Sequence, residues 1–163
     1  VSVAMTLIEI EEALLRLGVA LALGAAIGLN RELHGKPAGL RTHALVSLGA
    51  AVAAFVALQP QVGNVPADPN GVGRVIQGIL TGVGFIGAGV ILRDPQGHVT
   101  GLTTAATLWL CAVLGMVCGL GHWAILVVAL GLALVVLIFG RFVESAAERV
   151  FKRRGPQPPD HGV

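Results

Sequence analysis

Long apolar runs alternate with short polar interruptions along the chain, and the runs have the length of bilayer-crossing helices rather than of soluble core segments. At a rise of about 1.5 Å per residue, a helix needs about 20 residues to cross the hydrocarbon layer. Five segments reach or approach that length: residues 13–29, with a start near residue 7 if the acidic face is sheltered, Thr42–Leu58, Val75–Leu92, Leu102–Leu120 and Trp123–Phe142. The second is short and must recruit flanking residues or thin the bilayer. Little more than Gly121 and His122 joins the last two, which forces them into an antiparallel hairpin. The pattern predicts an all-α, polytopic membrane fold with five transmembrane helices over residues 1–142 and a basic tail over 143–163, disordered at its proline-containing end.

Composition narrows the picture further. Apolar residues make up 55% of the 163 positions and charged residues 12%, with a mean hydropathy of +0.82. Soluble chains average about 25% charged residues, so there are too few charges here to coat a globule. The 23 glycines follow no three-residue period, which excludes a collagen-like chain, and the hydrophobicity excludes a disordered one. Glu9, Glu11 and Glu12 stand where a cleavable signal would carry basic residues, so the first apolar segment reads as a retained span.

Charge also gives a sidedness. Arg31, Lys36 and Arg41 follow the first span, while Arg149, Lys152, Arg153 and Arg154 follow the fifth, and five spans place both clusters on one side. The excess of basic residues there predicts a cytoplasmic C-terminus and an outer N-terminus.

Polar residues within the spans are few and periodic. At about 100° per residue, Glu9, Glu12 and Arg16 share a face of the first helix, either as an ion-facing lining or as a Glu12–Arg16 pair reaching the interface. Arg74, Gln77 and Thr81 share a face of the third, beside the small-xxx-small pair Gly78 and Gly82, and Gly84, Gly87 and Gly89 continue that low-volume surface. Such surfaces let helices approach closely, and an exposed one favours a homodimer. Thr100, Thr104, Thr107 and Cys111 descend the fourth helix with Thr103 beside them. Threonines in this position either bond to carbonyls one turn back or ligate a partly dehydrated cation. The candidate functional face is thus Glu12, Arg16, Gln77, Thr81, Thr103, Thr104 and Thr107.

The two linkers on the basic side contribute Arg31, Glu32, Lys36, Arg41, Thr42, Arg93 and Asp94. Their positive field suits anionic lipid headgroups or an acidic partner, and Glu32 with Asp94 offers a weak ion site. His34, His43, His98 and His122 are too scattered for a zinc site, so no metal ligands are assigned, no cofactor is certain, and Mg²⁺ is a candidate ion. Phosphate-loop, zinc-protease and nucleophile-elbow signatures are absent, which argues against an enzyme. The basic tail is too short to argue for nucleic-acid binding. Cys111 and Cys118 lie about 10 Å apart along one helix, too far to bridge, and read as buried thiols.

Three segments in order resemble the transmembrane domain of the MgtC/SapB family. The first runs from Gly24 through Asn30-Arg31-Glu32 and Lys36-Pro-Ala-Gly-Leu-Arg-Thr to Leu48-Gly49, and the second is Gly82-Val-Gly-Phe-Ile-Gly-Ala-Gly-Val-Ile-Leu. The third is Val99-Thr-Gly-Leu-Thr-Thr-Ala-Ala-Thr-Leu-Trp, followed by Gly115-Met116 and Gly119, so that the resemblance covers roughly residues 10–140. Asn30 stands where members often carry an acidic residue. The chain looks like a SapB-type form without the C-terminal soluble domain that many members have. The resemblance implies an integral membrane protein of adaptation to low magnesium or of virulence that regulates membrane protein partners, or alternatively a small oligomeric Mg²⁺ or other cation transporter or channel. The lack of carboxylates at mid-membrane favours the regulator, whereas the polar stripes favour the transporter.

Overall fold

A computed structural model describes residues 7–58, 70–93, 95 and 97–152. The helices are α1 (Leu7–Leu33), α2 (Leu40–Leu58), α3 (Gly71–Val90), α4 (Leu102–Leu120) and α5 (Trp123–Lys152). Four of them, α1 to α4, are long and apolar enough to cross a membrane, and the apolar part of α5, Trp123–Val136, is shorter. The described residues fall into two units, one up to Leu126 and one from Val127 onward, the second being the continuation of α5.

Helix boundaries follow the breakers. α4 matches the apolar run because Gly101 and Gly121 bracket it with φ of +88° and +75°. At Gly101 a Cβ would also collide with the Val90 carbonyl, so only glycine fits. α3 starts and stops earlier than the apolar pattern suggests, because Ile91 is already extended and the chain turns into a short antiparallel hairpin. Its strands β1 (Leu92–Arg93) and β2 (Val99–Thr100) pair Leu92 with Thr100 and Arg93 with Val99. α5 outruns its apolar segment and continues to Lys152, since no proline or glycine interrupts residues 141–152. Residues 153–163, most of the linker after α2, and Asp94 lie outside the described residues.

The core of the first unit is built around α4, which packs on α1, α2 and α3. Leu108, Cys111, Ala112, Leu114 and Cys118 are fully buried, and Ala50, Ala54, Val83, Ala112 and Met116 form one cluster across α2, α3 and α4. Both cysteines are free thiols. Alanines, cysteines and a few larger side chains such as Leu108 and Leu114 fill this core, and many of the large apolar side chains point outward. Phe85 is 84% exposed and Leu14 69%, which is costly in water and ordinary in lipid, where packing rather than apolar burial holds helices together.

Glycine makes that packing possible, at positions other than those the α3 run suggests. A Cβ at Gly24 would fall 2.5 Å from the His43 carbonyl oxygen, and at Gly28 2.6 Å from that of Gly39, so α1 lies directly on the start of α2. Cβ atoms at Gly115 and Gly119 would run into the carbonyls of Ser47 and Ala51, fixing α4 against α2. Of the α3 glycines, Gly87 meets Ala105, whereas Gly78, Gly82, Gly84 and Gly89 have no described atom within 4 Å of where a Cβ would stand.

Candidate functional site

The polar side chains gather at the two ends of the α1–α2–α4 group. At one end, the apolar run of α1 stops at Asn30-Arg31-Glu32, and the helix closes as the N–H groups of His34 and Lys36 bond to the Arg31 carbonyl at 3.1 and 3.0 Å. This last turn places Arg31 inside the bundle. It is only 8% exposed, and its Nη2 donates to the Thr104 hydroxyl oxygen at 2.5 Å. Thr104 belongs to the first turn of α4, so the bond joins the end of α1 to the start of α4.

The network continues inward along α4. The Thr107 hydroxyl lies 2.9 Å from the Thr104 carbonyl and 3.3 Å from His43 Nε2, and its single proton serves one of them at a time. A carbonyl only accepts, so His43 Nδ1 donates to that of Gly39 at 3.1 Å. The Cys111 thiol donates to the His43 carbonyl at 3.4 Å, and the Ser47 hydroxyl to the Ala20 carbonyl at 2.7 Å. Arg31, His43, Ser47, Thr104 and Thr107 are all buried, which ties three helices together at one end.

Glu32, the immediate neighbour of Arg31, is turned elsewhere. Its Oε2 accepts the Leu40 N–H at 3.0 Å and thereby caps α2. An anion at a helix N-terminus opposes the positive end of the helix dipole, so this is a favourable placement. Ala38, in the same linker, adopts a left-handed φ of +57°, a strained conformation for a residue with a side chain.

At the opposite end, Arg16 pairs with Glu12 and its Nη1 donates to the Gly119 carbonyl at 2.8 Å. Its guanidinium also stands 5.6 Å from the centre of the Phe55 ring. Here a cation meets a helix C-terminus, again with the favourable sign. Gly121 ends α4 at φ +75°, and a Cβ there would fall 2.7 Å from the Arg16 guanidinium carbon.

The residues picked out from the sequence therefore occupy different places. Thr104 and Thr107 join Arg31 in the buried network, while Glu12 and Arg16 form the tie at the far end. Gln77 and Thr81 lie on the exposed side of α3, where the Thr81 hydroxyl donates to the Gln77 carbonyl at 2.8 Å. Thr103, Lys36, Arg41, Thr42 and Arg93 are exposed. His43 and Ser47 were not singled out, although they stand four apart on the small-residue face that includes Ala50, Ala51 and Ala54. Among the described residues, no three His, Cys, Asp or Glu side chains gather to hold a metal.

The bonds Arg31–Thr104 and Arg16–Gly119 set α1 antiparallel to α4, with the linkers around residues 34–39 and 91–101 at the same end. The chain is similar to known proteins with this helical core. It is 46% identical over 115 residues to the protein SrpB of Synechococcus elongatus, a match covering 66% of this chain and 63% of that protein. It is 41% identical over 137 residues to the protein MgtC of Salmonella typhimurium, covering 84% of this chain and 54% of that protein. The chain thus spans between about half and two thirds of these relatives' lengths. No solved structure matches it. The MgtC family pattern matches residues 17–146, and with four long apolar helices the chain belongs to the MgtC family as a multi-pass protein of the bacterial inner membrane.

Proposed function

We propose that the chain is a non-enzymatic regulator of other membrane proteins, acting in adaptation to low magnesium or in virulence, and not itself a path for cations. The observation that carries this reading is the position of Arg31. The threonine stripe of α4 is the best candidate in the sequence for ligating a dehydrated cation, and its buried part is bonded to a guanidinium. A fixed positive charge on the would-be ligand oxygen repels Mg²⁺, and Mg²⁺ sheds its water only for strongly oxygen-rich, usually anionic sites. Mg²⁺ or another cation would have to cross elsewhere for the transporter alternative to hold, and the exposed Gln77–Thr81 face of α3 is the place it would use.

In this reading α5 crosses the bilayer as a fifth span, which puts the linkers bearing Arg31 and Arg93 in the cytoplasm with the C-terminus. Co-purification with one membrane complex in the absence of cation flux supports regulation; flux that is lost on changing Thr104 or Gln77 supports transport.

The open glycine face of α3 supports a homodimer. Gly78 and Gly82 leave room for a second backbone, and neither is filled by the chain's own described side chains. Cysteines introduced singly at Gly78 or Thr81 are expected to form disulfide-linked dimers in native membranes, whereas a cysteine at Leu14 on α1 should not. Only monomer at all three positions would contradict the dimer.

A further inference from the structure

We propose that the basic end of the α1–α4 junction is a binding site for a phosphate group, held between Arg31 and the N-terminus of α4. The helix end supplies the first half of the site. Gly101 caps α4 without any side-chain hydrogen bond, so the first N–H groups of the helix, at Leu102, Thr103 and Thr104, have no acceptor within it. Helix starts of this kind attract anions through both the free donors and the dipole.

The second half is independent of the helix. Arg31 is more than nine-tenths buried, its Nε has no hydrogen-bond partner, and its Nη2 reaches into the first turn of α4 to meet the Thr104 hydroxyl. Among the described residues no carboxylate pairs with it. The negative end of α1, whose last turn carries Arg31, offsets part of that charge, but the positive end of α4 and the guanidinium still converge on one spot. Glu32, the nearest acidic residue in sequence, is committed to capping α2. A buried cation beside a helix N-terminus is unfavourable until an anion stands between them. The Thr104 hydroxyl accepts from Arg31 and keeps its own proton to donate, so guanidinium, hydroxyl and backbone N–H groups would together meet a tetrahedral oxyanion.

Phosphate is favoured over other anions by depth and surroundings. Arg31 is two residues from the end of α1, so a bilayer crossed by α1 would set its headgroups near it, and the exposed Lys36 and Arg41 follow it in the linker. A phospholipid headgroup and a free phosphate share the same chemistry, and the two are separable by experiment.

The test uses the full chain purified in lipid-depleted, phosphate-free maltoside detergent, with melting followed through Trp109 and Trp123. Inorganic phosphate is titrated in one arm and a short-chain phosphatidylglycerol in the other, with sodium chloride at matched ionic strength as the control. A saturable rise in Tm of about 5 °C is expected in at least one arm. A rise with inorganic phosphate assigns the site to the free ion, and a rise with the lipid alone assigns it to a headgroup. Arg31→Gln is expected to abolish the rise. Because that variant can fail to fold, Thr103→Glu provides a second reading: it places a carboxylate at the exposed start of α4, and should melt higher than the parent without ligand and no longer respond. No rise in either arm, or a rise that persists in Thr103→Glu, would overturn the proposal. So would stabilisation by oligoglutamate alone, which would assign the site to an acidic protein segment.

Discussion

Gly115→Val is expected to prevent stable folding, and Gly119→Val to do nearly the same. At each position the added Cβ would collide with a backbone carbonyl of α2, at Ser47 and Ala51, and neither carbonyl belongs to a flexible group that could swing aside. Relief requires α2 and α4 to separate. That separation would also open the contacts around Leu108, Cys111, Ala112 and Leu114, all fully buried. Overpacking a well-filled interior costs about 1–3 kcal/mol, and more where backbone must move, so the loss here should lie at or above the upper end of that range. The check is the yield of monodisperse protein and the midpoint of unfolding in mixed detergent micelles. Gly49→Val is the control, because no described atom lies within 4 Å of a Cβ there, and it should fold as well as the parent. Equal behaviour of Gly115→Val and Gly49→Val would contradict the α2–α4 packing described above.

The next largest effect is expected from Arg16→Met, which keeps most of the apolar stem and removes the charge. The substitution deletes the hydrogen bond to the Gly119 carbonyl and the guanidinium beside Phe55, and leaves the α4 C-terminus without its cation. A hydrogen bond from a charged group is worth about 1.5–3 kcal/mol, and the ring contact adds about 0.5–1 kcal/mol. A loss of about 2–3 kcal/mol in unfolding free energy is expected. Glu12→Gln separates this role from that of the ion pair. Glu12 is about half exposed, so its pairing with Arg16 contributes less than about 1 kcal/mol, and the variant should be close to the parent. If Glu12→Gln were as damaging as Arg16→Met, the ion pair and not the tie to α4 would be what Arg16 supplies.

These two cases show where the sequence was legible and where it was not. The bounds of α4 were readable because glycines that break the helix stand at both ends of an unbroken apolar run. The hairpin after α3 was not, because Leu92 and Val99 are apolar residues that fit a helix end as well as a strand. The glycines are the sharper example. Gly78 with Gly82 and Gly115 with Gly119 have the same spacing, yet one pair is open and the other lies under a backbone carbonyl. Spacing states that a helix can be approached closely; only the partner helix decides whether it is.

Arg31 shows the same limit for charge. In the sequence it reads as one of three basic residues in a polar linker, and its neighbours Lys36 and Arg41 are indeed exposed. Helix α1 extends through Leu33, and that additional turn rotates Arg31 into the bundle while leaving Glu32 outside to cap α2. The periodicity of α4 correctly put Thr104, Thr107 and Cys111 on one face, but Thr100, read as the top of that stripe, lies in β2 ahead of the helix and is exposed, because α4 starts only after Gly101. What that face would meet, a guanidinium and the His43 side chain and backbone, depends on α1 and α2 and had no local signal.

The central claim is that this buried polar network fastens helices together and does not conduct cations. Mg²⁺ uptake into sealed proteoliposomes tests it most directly, using protein shown to be folded, with empty vesicles and a Thr104→Ser variant in parallel. The account predicts uptake no greater than in empty vesicles for both proteins. Mg²⁺ uptake well above empty vesicles that changes with Thr104 would contradict it and make the threonine stripe part of a cation path.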